Sequence, residues 1–316
     1  MFSRSFGASY GSQLRVLAAA IVCGLVVTGC SKMLADGAFD AASKAGEGVK
    51  TIHDYETAKQ ITFSGLGQLE SLHSVSPANP GGLMLLTQAW AGAASGFIWD
   101  DWEQAFEADD EVMMGYHQTR AQEAYKRAKF YGHKLLSQRA EGFEAAQKDA
   151  STLKVWLKEN FTEKEHAPEV LWVAFAYINA IQADSENAEL ISELYVSVEM
   201  LKHVVRLDEE LEHGLARVIL GGVFSTKAFG EPEEGKKQFD RAIELTGGRF
   251  VAVHLAMAIT YYCQTQNEEG YMSALNQVLE SPDPLPEARI ATVVAKRRAR
   301  RYLNNSMWQD ECGFSL

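Results

Sequence analysis

The sequence predicts an all-α protein, and three observations carry that expectation. The seven prolines are confined to a few places: Pro77 and Pro80, Pro168, Pro232, and the group Pro282, Pro284 and Pro286. Proline removes a backbone donor and clashes with the preceding turn, so the long stretches between these positions are free to be helical. Within them apolar residues recur every three or four positions, as in Leu83, Leu86, Ala89, Trp90, Ala93 and Phe97, then Leu194, Val198, Leu201 and Val205, then Phe239, Ala242 and Ile243. Alternating strand patterns bounded by hairpin dipeptides such as Asn-Gly are absent from the sequence.

At the N-terminus, Arg4 and Arg15 make a positive segment, Val16 to Val27 is an uncharged apolar run, and the small residues Thr28 and Gly29 precede Cys30. This order is that of a secretory signal. The run is too short for a membrane span, which takes about 20 apolar residues. Leu25-Val-Val-Thr-Gly-Cys-Ser-Lys32 resembles the bacterial lipobox, with Val27 where leucine is more usual, and Cys30 is the expected site of lipid attachment. Cleavage elsewhere, in an ordinary secreted protein, is the alternative. Ser31 after the cysteine favours the outer membrane by resemblance to the enterobacterial sorting rule. Residues 1–29 are therefore expected to be a lipoprotein signal peptide. Residues 30–55, small and polar with Gly37, Gly46 and Gly48, are expected to be a tether or a loosely packed first segment.

The 287 residues from Cys30 onward, in a chain with 47% hydrophobic content, suffice for a sizeable core. The formal charge of −12 becomes −14 once Arg4 and Arg15 leave, because residues 1–29 contain no acid. Such a chain lacks the basic face that phosphate neutralisation requires, which argues against nucleic acid as a partner. Cys263 and Cys312 are the only cysteines left for a disulfide. A bridge needs Cα atoms within about 7 Å, so a disulfide and two free thiols both remain open.

A repeat organises the helices. In His254-Leu-Ala-Met-Ala258-Ile-Thr-Tyr261, followed by Gly270, Ala274, Val278 and Pro282, residues fall where a tetratricopeptide unit places its packing positions. Phe239 to Leu245, Leu201 to Leu207 and, more faintly, Tyr131 to Leu135 look like second helices of the same kind. Taking Lys134, Val204, Ala242 and Gln277 as equivalent gives separations of 70, 38 and 35, which one unit of about 35 residues, doubled once, explains. The expected architecture is an α-α superhelix of cryptic tetratricopeptide-like repeats over 56–303, with 304–316 as a C-terminal tail. An irregular helical bundle with chance spacing is the competing explanation.

Several blocks in order carry a family resemblance: SPANPGGLMLLTQAWAGAASGFIWDD, RAQEAYKRAKFYGHKLLSQR, VLWVAFAYINA, FDRAIELTGGRFVAVHLAMA and AKRRARRYL. Together they resemble the T-component lipoproteins associated with TRAP transporters, the tripartite ATP-independent periplasmic carriers, over roughly Glu56 to Leu303. The resemblance implies cryptic tetratricopeptide motifs, a homo-oligomer that is a trimer, an apolar ligand-sized passage, and a periplasmic substrate-binding protein as partner. It further implies a lipid-anchored protein of the periplasm that assists uptake of an apolar or organic-acid solute. A repeat lipoprotein scaffold for outer-membrane or pilus assembly is the alternative from another class.

Candidate residues follow from side-chain chemistry. Trp90 and Phe97, with Gly92 and Gly96 four apart, could let helices approach closely or leave room for an apolar ligand. Trp172, Phe175 and Tyr261 are further candidates for a ligand cavity, although solenoid cores use such residues routinely. Lys296, Arg297, Arg298, Arg300 and Arg301 concentrate five cations in six positions. The arginines are candidates for docking a partner or lipid phosphates, against the alternative of a solvated helix face. Thr246-Gly-Gly-Arg249 is accounted for as a helix C-cap. HExxH, a phosphate loop and paired CxxC motifs are missing, and GxSxG is missing from residues 30–316, so neither an enzyme nor a cofactor or metal is expected. The mature protein should begin at an acylated Cys30, and mass spectrometry of its N-terminal peptide checks this; a mature chain starting elsewhere removes the anchor.

Overall fold

The computed structural model describes residues 31–226 and 230–314, and every regular element among them is helical. The signal segment and Cys30 lie outside the described residues. Helix α1 is described over 31–50, followed by α2 (Tyr55–Val75), α3 (Pro80–Ala93), α4 (Trp99–Glu107) and α5 (Glu111–Arg139). The middle of the chain holds α6 (Phe143–Ala146), α7 (Ala150–Asn160), α8 (Ala167–Ala183), α9 (Ala188–Ser192) and α10 (Leu194–Leu207). Then come α11 (Leu211–Ser225), α12 (Pro232–Thr246), α13 (Ala252–Met257), α14 (Glu268–Glu280), α15 (Arg289–Asn304) and α16 (Ser306–Glu311).

Local chemistry sets many of these boundaries. Side chains of Asp54, Asn79, Asp110, Asp149 and Asn267 each accept from a main-chain N–H in the first turn of the helix that follows. Pro80, Pro168 and Pro232 occupy first-turn positions, where a missing N–H is harmless. Gly247, at φ 60°, ends α12 in the left-handed conformation.

The helices pack in successive pairs, α3 with α5, α8 with α10, α11 with α12, and α13 with α14. Lys134, Val204, Ala242 and Gln277 lie on α5, α10, α12 and α14, the second member of each pair. The separation of 70 has a different origin from a doubled unit. A single pair, α8 with α10, fills it, and the short helices α6, α7 and α9 supply the extra length. The largest core lies where α7, α8, α10 and α11 meet, around Leu157, Leu171, Met200, Leu201 and Leu220. Helices α11 and α12 cross closely because Gly221 has no side chain; a Cβ there would lie 2.9 Å from the ring of Phe239.

Both termini fold back on the array. Phe39 of α1 is buried against Gly82, and Ser76 and Asn79 donate to the Asp36 carboxylate at 2.6 and 2.7 Å. At the other end Cys263 and Cys312 form a disulfide with Cα atoms 4.8 Å apart, Phe314 packs on Tyr271, and Trp308 packs on Tyr302. Closing a loop with a sequence separation of 49 restricts the unfolded chain by about 4 kcal/mol in the loop-entropy account. Two outcomes follow. Replacing both cysteines by serine should lower unfolding free energy by about 2–4 kcal/mol in urea titrations. Gly221→Val should cost about 1–3 kcal/mol through overpacking against Phe239.

Candidate ligand chamber

Inside the curve of paired helices lies a chamber of about 2230 Å³. That exceeds the roughly 300–1,000 Å³ of ordinary ligand pockets. Each contributing helix turns its second apolar face inward. Helix α8 buries Val170, Leu171, Val173 and Ala174 in the core while Trp172, Phe175, Ile178 and Asn179 face the chamber. Helix α11 presents Leu215, Val218, Ile219 and Gly222, and α15 presents Ile290, Ala291 and Val294. The chamber reaches the surface beside Ile61 and Ile191, which are exposed.

Small residues keep the space open. A Cβ built on Gly92 or Gly96 would meet nothing within 4 Å, so these glycines face the chamber and not a neighbouring helix. Two π-helical turns, Ala94–Ile98 after α3 and Ala258–Tyr262 after α13, bring Phe97, Ile259 and Thr260 to the wall. One extra residue per turn rotates the following side chains, which is how π-turns re-aim groups at functional sites. At one edge of the chamber Glu212, His213 and Gly214 are all left-handed, with φ of 47°, 61° and 80°. Two successive non-glycine residues in that region are strained by about 1–3 kcal/mol each. Lys50 of α1 donates to Glu212 at 2.8 Å, and the His213 ring lies 5.3 Å from that of Phe250.

Three of the five candidate cavity residues, Phe97, Trp172 and Phe175, line this chamber. Trp90 and Tyr261 do not. The indole N–H of Trp90 donates to Glu70 at 2.7 Å and Arg127 stacks on its ring, which turns it outward. Burial raises the Glu70 carboxyl, but Arg127, Tyr131 and Trp90 together hold it at about 2. Tyr261 packs among Val218, Phe239, Val253 and Met257 and points its hydroxyl at Glu233.

The arginine run on α15 also takes a place the sequence did not disclose. Arg297 and Arg301 donate to Asp100 at 2.8 Å each, and Arg301 and Arg298 donate to Glu103 at 2.5 Å. Tyr55 adds its hydroxyl to Asp100, and Tyr302 adds its own to Glu103. Both carboxylates are 1% exposed. Arg297, Arg298 and Arg301 thus face inward onto α4, and among the four candidate docking arginines only Arg300 is exposed. A signal existed: Asp100, Glu103 and Glu107 share one face of a helix, as do Arg297, Arg298 and Arg301, and opposite stripes can pair.

Cations lining the chamber are Lys50, bonded to Glu212 and Glu47, and Arg298, bonded to Glu103. Among the described residues no lining cation is left unpaired. Nor is there a cluster of three metal-ligating side chains among them. The arrangement suits an uncharged apolar guest, because a carboxylate would enter with no counter-charge.

A family model described as TRAP transporter T-component matches residues 52–307 of the chain. No curated protein matches it. The α4–α15 cluster should be decisive for stability, with Asp100→Asn costing about 3–5 kcal/mol because it strands buried guanidinium charge. Burial opposes ionisation of Asp100, yet Arg301 and its other partners hold its pKa below the ordinary carboxylate range. Its contribution is therefore complete above that range and is lost as pH falls from it through the lowered pKa of the folded state. Urea unfolding followed from pH 7 downward should show an acid-side loss of stability that Asp100→Asn diminishes.

Proposed function

The chain belongs to the TRAP transporter T-component family, and from that premise we propose that it is a non-enzymatic, membrane-anchored component that holds an apolar solute for the transporter's soluble receptor. Membership makes it a TRAP transporter component. The finer reading is that a lipid on Cys30 keeps the protein at the outer membrane, facing the periplasm. The helical array docks a periplasmic substrate-binding protein, and copies of the chain associate, as a trimer by family resemblance. The chamber supplies an apolar pocket or path for the solute.

The observation that carries this proposal is the lining of the chamber. Most of its wall is apolar, Gly92 and Gly96 face empty space, and its described cations are already paired. Of the two solute classes open at the level of sequence, an uncharged apolar compound and an organic acid, the wall favours the first. The disulfide supports residence outside the reducing cytosol, because such bridges persist in oxidising compartments.

Filling the chamber tests this directly. Gly92→Leu with Gly96→Leu adds bulk where a Cβ meets nothing, and leucine is the better helix former by about 1 kcal/mol. The soluble form lacking residues 1–30 should bind a fluorescent apolar probe, and the double variant should lose tenfold or more in affinity, about 1.4 kcal/mol, while unfolding no more easily. Equal probe binding by the two forms would show that the chamber is not the site. Native mass spectrometry and crosslinking pull-down of the same soluble form should return an oligomer and a substrate-binding protein.

A further inference from the structure

We infer that the corner formed by the first turn of α1 and the α2–α3 connection is the pole that rests in the bilayer, with Met33, Leu34 and Val75 entering the lipid interface. This inference rests on the proposed acylation of Cys30. Met33 and Leu34 are 70% and 71% exposed and Val75 is 46% exposed, and a group of exposed apolar side chains, unlike a single one, marks a contact surface. They sit together. Asp36, three residues beyond Met33 on α1, accepts from Ser76 at 2.6 Å and from Asn79 at 2.7 Å, which ties the α2–α3 connection to the first turns of α1. Pro77 and Ala78 on the same connection are also exposed.

Position along the chain identifies what covers the corner. Cys30 precedes Met33 by three residues, a distance of at most about 10 Å even if fully extended. Acyl chains on that cysteine would bring Met33 and Leu34 to the headgroups whatever the conformation between them. Charge agrees. The mature chain carries −14, yet residues 71–99 contain no Asp, Glu, Lys or Arg, and residues 31–35 contain Lys32 and no acid. The one acid at the corner, Asp36, is held by Ser76 and Asn79 and offset by Lys32, so an anionic leaflet meets no net repulsion here. A second exposed apolar group, Val112, Met113 and Tyr116 on α5, is preceded by Asp109, Asp110 and Glu111, and that acidic run disfavours lipid phosphates.

The placement also orients the chamber. Ala38 of α1 and Leu69, Ser71 and Leu72 of α2, within two helical turns of this corner, line it. One end of the chamber thus faces the membrane, where an apolar solute could pass between leaflet and protein without crossing bulk water.

The experiment uses the full acylated chain in phosphatidylethanolamine–phosphatidylglycerol vesicles. With Cys263 and Cys312 joined and Cys30 acylated, a single introduced cysteine is the one free thiol of the mature protein. Leu34→Cys, Val75→Cys and, for comparison, Val112→Cys are each labelled with nitrobenzoxadiazole, all at exposed positions. Labels at 34 and 75 should shift to the blue and lose emission when nitroxide-bearing lipids are included, while the label at 112 does neither. Labels at 34 and 75 as wet as that at 112 would overturn the inference. A blue-shifted but unquenched label would also overturn it, assigning the corner to contact with another protein. Mass spectrometry of the same samples separates the premises: an unacylated Cys30 defeats the anchor and this inference together, whereas acylated protein with unquenched labels defeats this inference alone.

Discussion

The structure depends first on a buried pairing of unlike charges between α4 and α15. A helical solenoid has no intrinsic reason to close, since each repeat touches only its neighbours. Here Asp100 and Glu103, on an early helix, meet Arg297, Arg298 and Arg301, about 195 to 201 residues later. Three carboxylates, counting Glu107, face three guanidiniums, so the cluster is neutral as a whole although its central groups are almost fully desolvated. Burial of such charges is tolerable only when every partner is present. The ends of the array therefore come together in one arrangement, and the interior of the curve becomes a chamber.

That interior remains open for reasons of side-chain size. A solenoid core of leucines and phenylalanines would interdigitate to native density and leave few voids. Here Ala42, Ala45, Gly65, Gly92 and Gly96 interrupt the larger lining residues, among them Leu85, Leu215, Phe97, Trp172 and Phe175. The two π-turns and the left-handed run at Glu212 to Gly214 border the same space. Strained backbone persists when surrounding structure holds it, and here the Lys50–Glu212 bridge and the Phe250 ring do so. The bridge also ties the far end of α1 to α11, so the first helix lies along the chamber with Phe39 fixed at one end and Lys50 at the other.

For a TRAP transporter component these features form a consistent physical design. A net negative charge suits solubility in an aqueous compartment, and the stretch 71–99 carries no Asp, Glu, Lys or Arg. The interior offers apolar contact, and its lining cations among the described residues are already paired, which is why an uncharged guest is proposed for it. The disulfide secures the last helices, so that α15, which carries the arginines, is held on both sides: by Asp100 and Glu103 of α4 and by the folded-back C-terminus.

How much of this was legible beforehand divides along one physical line. Helix boundaries, the pairing positions at Lys134, Val204, Ala242 and Gln277, and the all-α class depend on prolines, caps and a three-to-four period, which act within a few residues of each other. The sequence by itself determined those. It also determined that Trp90, Phe97, Trp172, Phe175 and Tyr261 lie on apolar faces, but not which faces, since a chamber wall and a packed core draw on the same side chains. Only the tertiary structure sent Phe97, Trp172 and Phe175 to the chamber, turned Trp90 to Glu70, buried Tyr261, and joined Cys263 to Cys312. It likewise turned a basic run that resembled a docking surface into an internal ion cluster, because the carboxylates that neutralise it stand some 200 residues away, beyond the reach of any local pattern.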